Sequence, residues 1–181
     1  MVKSEERREG LRARFLPLLA KEANEKKVIC GNVTKVWTIS KTVAKNIKMI
    51  YVVRMNTARV EMWIYHGKHE KDVDSAYDVF KHFLSKKSQI ERDYGGALNW
   101  EHESRRTAFS IQQDYPDFQL SDESKWNYWI GKMVTDMKKL DDALLPHYIT
   151  SRLLLTFHRS LQPSQPYSVL QQSAFKASLA K

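Results

Sequence analysis

Four groupings of side chains in this 181-residue chain have types and spacing that chemistry could use. Pro116-Asp117, followed by Glu123-Ser124-Lys125, mimics the carboxylates and lysine of a metal-dependent nuclease. There, two acids converge on Mg²⁺ and the lysine orients the attacking water. Here only five residues separate Asp117 from Glu123, and Glu123 falls where a helix begins. An acid there complements the helix dipole, so capping is the expected role. His66 and His69 form an HxxH spacing beside Gly67. Two ligands leave a zinc site short and Cys30 is remote in sequence, so these read as solvated loop histidines and no metal is expected. Arg59 and Glu61 stand two apart on a strand-like stretch and so share a face. A carboxylate so placed could act as a base, but a salt bridge covering the sheet is the expected use.

The fourth grouping is charge. The net charge is +9, and it is polarised: residues 28–60 carry six basic groups and no acid. They are Lys35, Lys41, Lys45, Lys48, Arg54 and Arg59, with Trp37 and Tyr51 interleaved. Cations that track phosphates, with an aromatic for stacking, are what nucleic-acid surfaces use. Lys35, Trp37, Lys41, Lys45, Lys48, Arg54 and Arg59 are therefore the expected contacts, on DNA or RNA alike. The same lysines could instead guard a sheet edge against aggregation. No Gly-x-Ser-x-Gly stretch and no glycine-rich phosphate loop occurs. Cys30, alone, reads as a small buried hydrophobe. No catalytic residue and no cofactor is expected.

These residues must be positioned by local structure. Residues 3–15 read as an amphipathic helix and 16–23 as a second, with Pro17 near its first turn. Val33 to Ser40 is rich in β-branched residues and favours a strand. Ile47 to Met55 alternates, and Asn56-Thr57 joins it to Arg59 to Tyr65 as a hairpin. Val60, Met62 and Ile64 share one face of the second arm. Arg59, Glu61, Trp63 and Tyr65 share the other, where the two aromatics suggest a packed helix. Residues 71–93 show the clearest helical stripe: Val73, Ala76, Tyr77, Phe80, Phe83, Leu84 and Ile90. Gly95-Gly96 stops it. Leu98 to Glu103 and Thr107 to Ile111 read as strands. Ser121 or Asp122 begins a final helix with Trp126, Trp129, Ile130, Met133, Met137, Leu140 and Leu144 on its apolar side, which Pro146 ends or kinks. His147 and His158 fall near helix ends, where a cation is favourable.

The order helix, three strands, helix, two strands, helix resembles a prokaryotic family known only as a domain of unknown function. Its members often sit C-terminal to restriction-nuclease-like domains of the PD-(D/E)XK type. The residues that carry the resemblance are Trp37, Ile39, Ala58 to Ile64, Phe80, Leu84, Ile90-Glu91, Tyr94-Gly95, Leu98, Trp100-Glu101, Arg106, Ile111, Trp129 and Pro146. They span roughly residues 30–150. Tyr94 stands where the family more often has Phe, no nuclease-like domain precedes the matching stretch here, and the residues after Arg152 have no counterpart. The resemblance implies a module that serves a separately encoded nuclease.

The expectation is thus an α+β class: a single antiparallel sheet of about five strands packed by helices, in the order α-β-β-β-α-β-β-α. Residues 1–150 are expected to form one domain, and 151–181 an appended basic tail containing Pro, Gln and Ser. The expected function is a non-catalytic nucleic-acid-binding or nuclease-accessory module. The alternatives are a protein-interaction or oligomerisation module using the Trp/Met-rich final helix and, last, a Mg²⁺-dependent nuclease using Asp117, Glu123 and Lys125. No apolar run is long enough to span a membrane, and the lone cysteine suits a reducing cytoplasm.

Overall fold

The computed structural model describes residues 2–29, 31–35, 37–65, 71–101 and 108–160. Its core is an antiparallel sheet. β3 (Ile47–Val53) and β4 (Ala58–Tyr65) pair as the expected hairpin, closed by the backbone of Arg54 donating to the Thr57 carbonyl at 2.9 Å. The register sets Met49 opposite Met62, Tyr51 opposite Val60 and Ile47 opposite Ile64, so the apolar residues of both arms meet on one face. β2 (Thr38–Ala44) joins β3 through a turn at Lys45-Asn46. Asn46 takes a left-handed φ of 62°, which its short polar side chain tolerates better than most. β6 (Ala108–Tyr115) pairs with the far side of β4, β5 (Asn99–Glu101) with β6, and β1 (Asn32–Lys35) with β2. The six strands lie in the order β1-β2-β3-β4-β6-β5.

Four α-helices cover the Met49–Met62 face: α1 (Val2–Glu25), α2 (Lys71–Leu84), α3 (Lys87–Tyr94) and α4 (Trp126–Ser160). α1 buries Leu11, Phe15, Leu19 and Ala23 at four-residue spacing. Phe15 meets Phe118 and Trp126 edge-on, at centroid distances of 5.6 and 5.3 Å. α2 lays Phe80 against Phe109 of β6 at 5.1 Å. α4 buries Met133, Met137, Leu140 and Leu144 completely. Each such side chain contributes about 1.5–3 kcal/mol when fully buried. One buried polar contact ties α4 to the sheet: the Tyr115 hydroxyl donates to Asp136 at 3.0 Å, and Lys132 approaches the same carboxylate at 3.1 Å. Burial, then Asp136, pushes the Tyr115 hydroxyl far up, so it stays a donor.

The α+β class, the single antiparallel sheet and the element order stand as expected, with local differences. The stretch 33–40 folds back on itself as β1 and β2, which gives the sheet its sixth strand. The expected helix over 71–93 breaks at Ser85-Lys86, where no apolar residue continues the stripe between Leu84 and Ile90. Gly95 ends α3 with φ of 87°, and the amides of Gly95 and Gly96 both donate to the Glu91 carbonyl at 3.0 Å. Pro17 and Pro146 both sit inside helices instead of starting or ending them. Each removes one backbone donor, a cost of about 3 kcal/mol, and burial beyond each proline outweighs it. After Pro17, Leu19 and Ala23 are buried; after Pro146, so are His147 and Tyr148, whose hydroxyl donates to Met49 Sδ at 3.2 Å. His147 therefore lies inside α4 and not at a helix end, and burial holds it below its ordinary value, as it does His82, whose ring lies 6.4 Å away. The side chain of His158 and all of 161–181 lie outside the described residues, as do Cys30, His66, His69 and Arg106. Among the described residues no helix is long and apolar enough to cross a membrane.

Two glycines give opposite predictions. A methyl group on Gly31 would stand 1.7 Å from the Ser40 carbonyl oxygen, so β1 lies on β2 only because residue 31 has no Cβ. Gly131, inside α4, has nothing within 4 Å of an added methyl. Gly31→Ala is expected to lose about 1–3 kcal/mol, and Gly131→Ala to gain about 0.5–1 kcal/mol. Urea unfolding of the two variants beside the parent chain checks both signs.

Candidate nucleic-acid interface

The helices occupy one face of the sheet, so the alternate residues of each strand form a second face with its own chemistry. Register builds it in rows: Lys48 beside Trp63 beside Ser110; Ile50 beside Glu61 beside Gln112; Val52 beside Arg59 beside Asp114. At its centre Arg59 Nε lies 2.6 Å from Glu61 Oε2, the salt bridge expected from their i, i+2 spacing. Glu61 is only 5% exposed. Burial pushes its carboxyl above the ordinary value, Arg59 pulls it back, and Glu101 and Asp114 add to the rise. Gln112, wholly buried, spreads its amide between the last two acids: Nε2 donates to Glu101 at 3.1 Å and to Asp114 Oδ2 at 3.2 Å. Ser110 Oγ donates to Oε1 of the Gln112 side chain at 3.1 Å. The β5–β6 side of this face is thus acidic and internally hydrogen-bonded. Among the described residues no three His, Cys, Asp or Glu side chains converge as ligands for a metal ion.

The β3–β4 side is cationic and aromatic. Trp63 and Tyr65, two apart on β4, stack at 5.3 Å with their planes 28° apart. Lys48 holds its ammonium 5.1 Å above Tyr65 and 5.9 Å above Trp63. Among the described residues no helix packs on these rings as the sequence suggested; the four described helices press on the other face. At the opposite end of β3, Arg54 lies 5.6 Å over Trp37, whose carbonyl accepts the Val53 amide at 2.9 Å. Between Arg54 and Arg59 opens a cleft of about 240 Å³, lined also by Val52, Thr57 and Asp114. Arg12 and Arg8 of α1 stand close enough to this corner for Arg8 and Arg54 to press electrostatically on Arg12.

The seven expected contact residues therefore do not form one patch. The structure brings Arg54 and Trp37 together. It puts Lys48 on the second face, and Lys45 on the exposed β2–β3 turn. Lys41 is exposed on β2 in register with Met49, on the helix side, where it faces Asp141 of α4. Arg59 is neutralised by Glu61. Lys35 ends β1 opposite Thr38. Arg8 and Arg12 were missed; their i, i+4 spacing was visible, but not the loop that α1 presents them to. The nuclease-like trio is dispersed: Glu123 accepts a two-pronged contact from Arg14, at 2.8 Å through Nη1, and Lys125 pairs with Asp122 at 3.1 Å. Asp122 stands before the 3-10 turn at Glu123–Lys125 but makes no side-chain cap; it accepts the Ser124 hydroxyl instead, at 2.6 Å.

Glu61 gives a pH prediction. A carboxyl whose value is raised by folding binds its proton more tightly in the folded chain. Folding therefore loses stability as pH climbs from the ordinary value of 4.5 through the raised one, and levels off above it. Unfolding free energies of the parent chain and Glu61→Gln across that range should show the parent losing ground as pH rises. A parent that gains relative to the variant contradicts the assignment.

Comparison with known proteins adds a family. No curated protein sequence matches the chain. Among solved structures, that of YbjN from Escherichia coli, described as a candidate transcription regulator, superposes with a TM-score of 0.32 at 6% identity, over 71% of this chain and 91% of that one. The family match starts on α1, ahead of the stretch in which the sequence motifs fall, and runs to His147. With residues 12–147 matched, the chain belongs to the family described as a domain of unknown function, DUF4268.

Proposed function

We propose that the protein is a non-catalytic nucleic-acid-binding module that takes a single strand across the β3–β4 side of its second sheet face. The observation that supports this most is the state of its cations. Several basic residues elsewhere are paired: Lys21 with Glu25, Lys81 with Asp78, Lys132 with Asp136, Lys138 with Asp142, Arg14 with Glu123. Among the described residues Lys45, Lys48 and Arg54 have no carboxylate within ion-pair distance, and two of them lie over aromatic rings. Half-buried rings on a sheet face stack unpaired bases, and nearby cations hold the phosphates. In this reading Lys48, Trp63 and Tyr65 form the stacking platform, Lys45 and Arg54 carry the backbone on either side, and Trp37 holds Arg54 in place. Lys35, Lys41 and Arg59 contribute field more than contact. The folded unit is residues 1–150, with 151–181 as a basic extension, and a nuclease is the partner that the family resemblance implies.

The protein-interaction alternative loses its main support in the fold. Among the described side chains of α4, which end at Tyr148, the apolar side is spent inside the chain, with Trp126, Trp129 and Met133 buried, and Tyr128 and Leu145 are the large apolar residues left exposed.

Fluorescence anisotropy with a labelled oligothymidylate, an oligouridylate and a DNA duplex, at several salt concentrations, tests the proposal. Log K for the single strands should fall linearly with log salt, and Lys48→Ala should make the slope shallower by about 0.7. Tyr65→Leu should cost about 1–3 kcal/mol of affinity with little change in slope. Absence of single-strand binding at low salt, or binding indifferent to both substitutions, removes the reading.

A further inference from the structure

We infer that Arg8, Arg12 and Arg54 form a phosphate-binding corner at the end of the second face, suited to a phosphomonoester rather than to an internal phosphodiester. It deepens the strand-binding reading by giving the strand a terminus, and it rests on that reading only for the identity of the molecule that carries the phosphate.

Arg8 and Arg12 lie one turn apart on α1, so their side chains leave the same side of the helix. α1 is fixed in rotation by Leu11, Phe15 and Leu19 in the core, and this turns Arg12 toward the β3–β4 loop that carries Arg54. Three like charges gathered this way repel. Burial and Arg8 both hold Arg12 below its ordinary value, against which Glu9 is the nearby acid. The Nε of Arg12 is buried and has no hydrogen-bond partner. A buried guanidinium donor left unmade is costly, and an anion would supply what it lacks. Arg14, half a turn further along α1, shows the contrast: Glu123 accepts from both of its terminal nitrogens.

Charge and shape select the anion. Three guanidiniums less the Glu9 carboxylate leave a net of two positive charges (three minus one). A phosphomonoester carries about 1.5–2 negative charges near neutrality, with three oxygens for planar forks. A carboxylate has one charge and two oxygens, and a phosphodiester has one charge. Arg54 lies 5.6 Å over the Trp37 ring, and a guanidinium held on an aromatic face keeps its planar fork for bidentate contact. The cleft between Arg54 and Arg59 shares Arg54 with this corner, and its volume of about 240 Å³ leaves room for an attached sugar.

The test has two arms. In the first, the intact protein is titrated with inorganic phosphate against chloride at matched ionic strength, and thermal unfolding is followed. A saturable rise in Tm specific to phosphate, lost in both Arg8→Gln and Arg12→Gln, supports the corner. Equal effects of phosphate and chloride, or a phosphate effect that survives in both variants, overturns it. Arg8 is exposed, so Arg8→Gln remains informative if Arg12→Gln folds poorly. In the second arm, short oligothymidylates with a 5′-phosphate, a 3′-phosphate or neither are compared. About tenfold tighter binding of one phosphorylated end, abolished by Arg8→Gln, is the expected result. Saturable phosphate binding with no strand binding of any kind keeps the corner and sinks the strand reading. Strand binding indifferent to end phosphate, with no phosphate effect in the first arm, does the reverse.

Discussion

All four α-helices press on the face of the sheet that carries Met49, Val60, Met62 and Ile111. Among the described residues, the side chains at alternate positions therefore satisfy themselves without a second layer of helices. The period of two along a strand makes this unavoidable: whatever lies between the core residues of β4 emerges on the other side. On β4 those residues are Arg59, Glu61, Trp63 and Tyr65. The polar two become an ion pair among buried neighbours, and the aromatic two stack on each other under Lys48. The same rule on β6 delivers Ser110, Gln112 and Asp114 to that face, where hydrogen bonds bind them into one network. The second face is thereby divided, acidic and closed toward β5, cationic and aromatic toward β3.

The corner where α1 meets the β3–β4 loop depends on packing at a distance. Phe15 is held by Phe118 and Trp126, Phe118 by Trp129, and Trp129 by Tyr115. The indole of Trp126 donates to the Leu120 carbonyl, and the Leu120 amide donates to the Met55 carbonyl in the β3–β4 loop. This chain of contacts links α1, the end of β6, the start of α4 and the loop bearing Arg54. It fixes the rotation of α1, and with it the place of Arg8 and Arg12.

Much of this was legible locally. The β3–β4 hairpin follows from alternation and Asn56-Thr57, the Arg59–Glu61 pair from i, i+2 spacing, and the end of α3 from Gly95-Gly96. The misses share a cause. Nothing in Val33 to Ser40 signals a turn, since every residue there suits a strand; the close approach of Gly31 to Ser40 makes the extra hairpin, and that is a tertiary fact. Pro17 and Pro146 read as breaks because the burial beyond them was not visible. Trp63 and Tyr65 read as helix-facing because a half-buried ring looks the same in sequence whether a helix or a lysine lies above it. The cations of 28–60 read as one group because sequence proximity hides the side of the sheet: Lys41, in register with Met49, and Lys48, in register with Thr42, lie on neighbouring strands and project to opposite faces.

The most direct measurement is a two-dimensional NMR titration of ¹⁵N-labelled protein with a short single-stranded oligonucleotide, read at the indole N–H signals of its five tryptophans. Trp63 lies on the proposed platform and Trp37 under Arg54. Trp100 and Trp126 are tied internally to Glu91 and Leu120, and Trp129 lies in the core. Salt-sensitive shifts at Trp63 and Trp37, with the other three unmoved, are the predicted result. Shifts confined to Trp126 and Trp129, or no shift at Trp63 at saturating strand, would contradict a binding face on the uncovered side of the sheet.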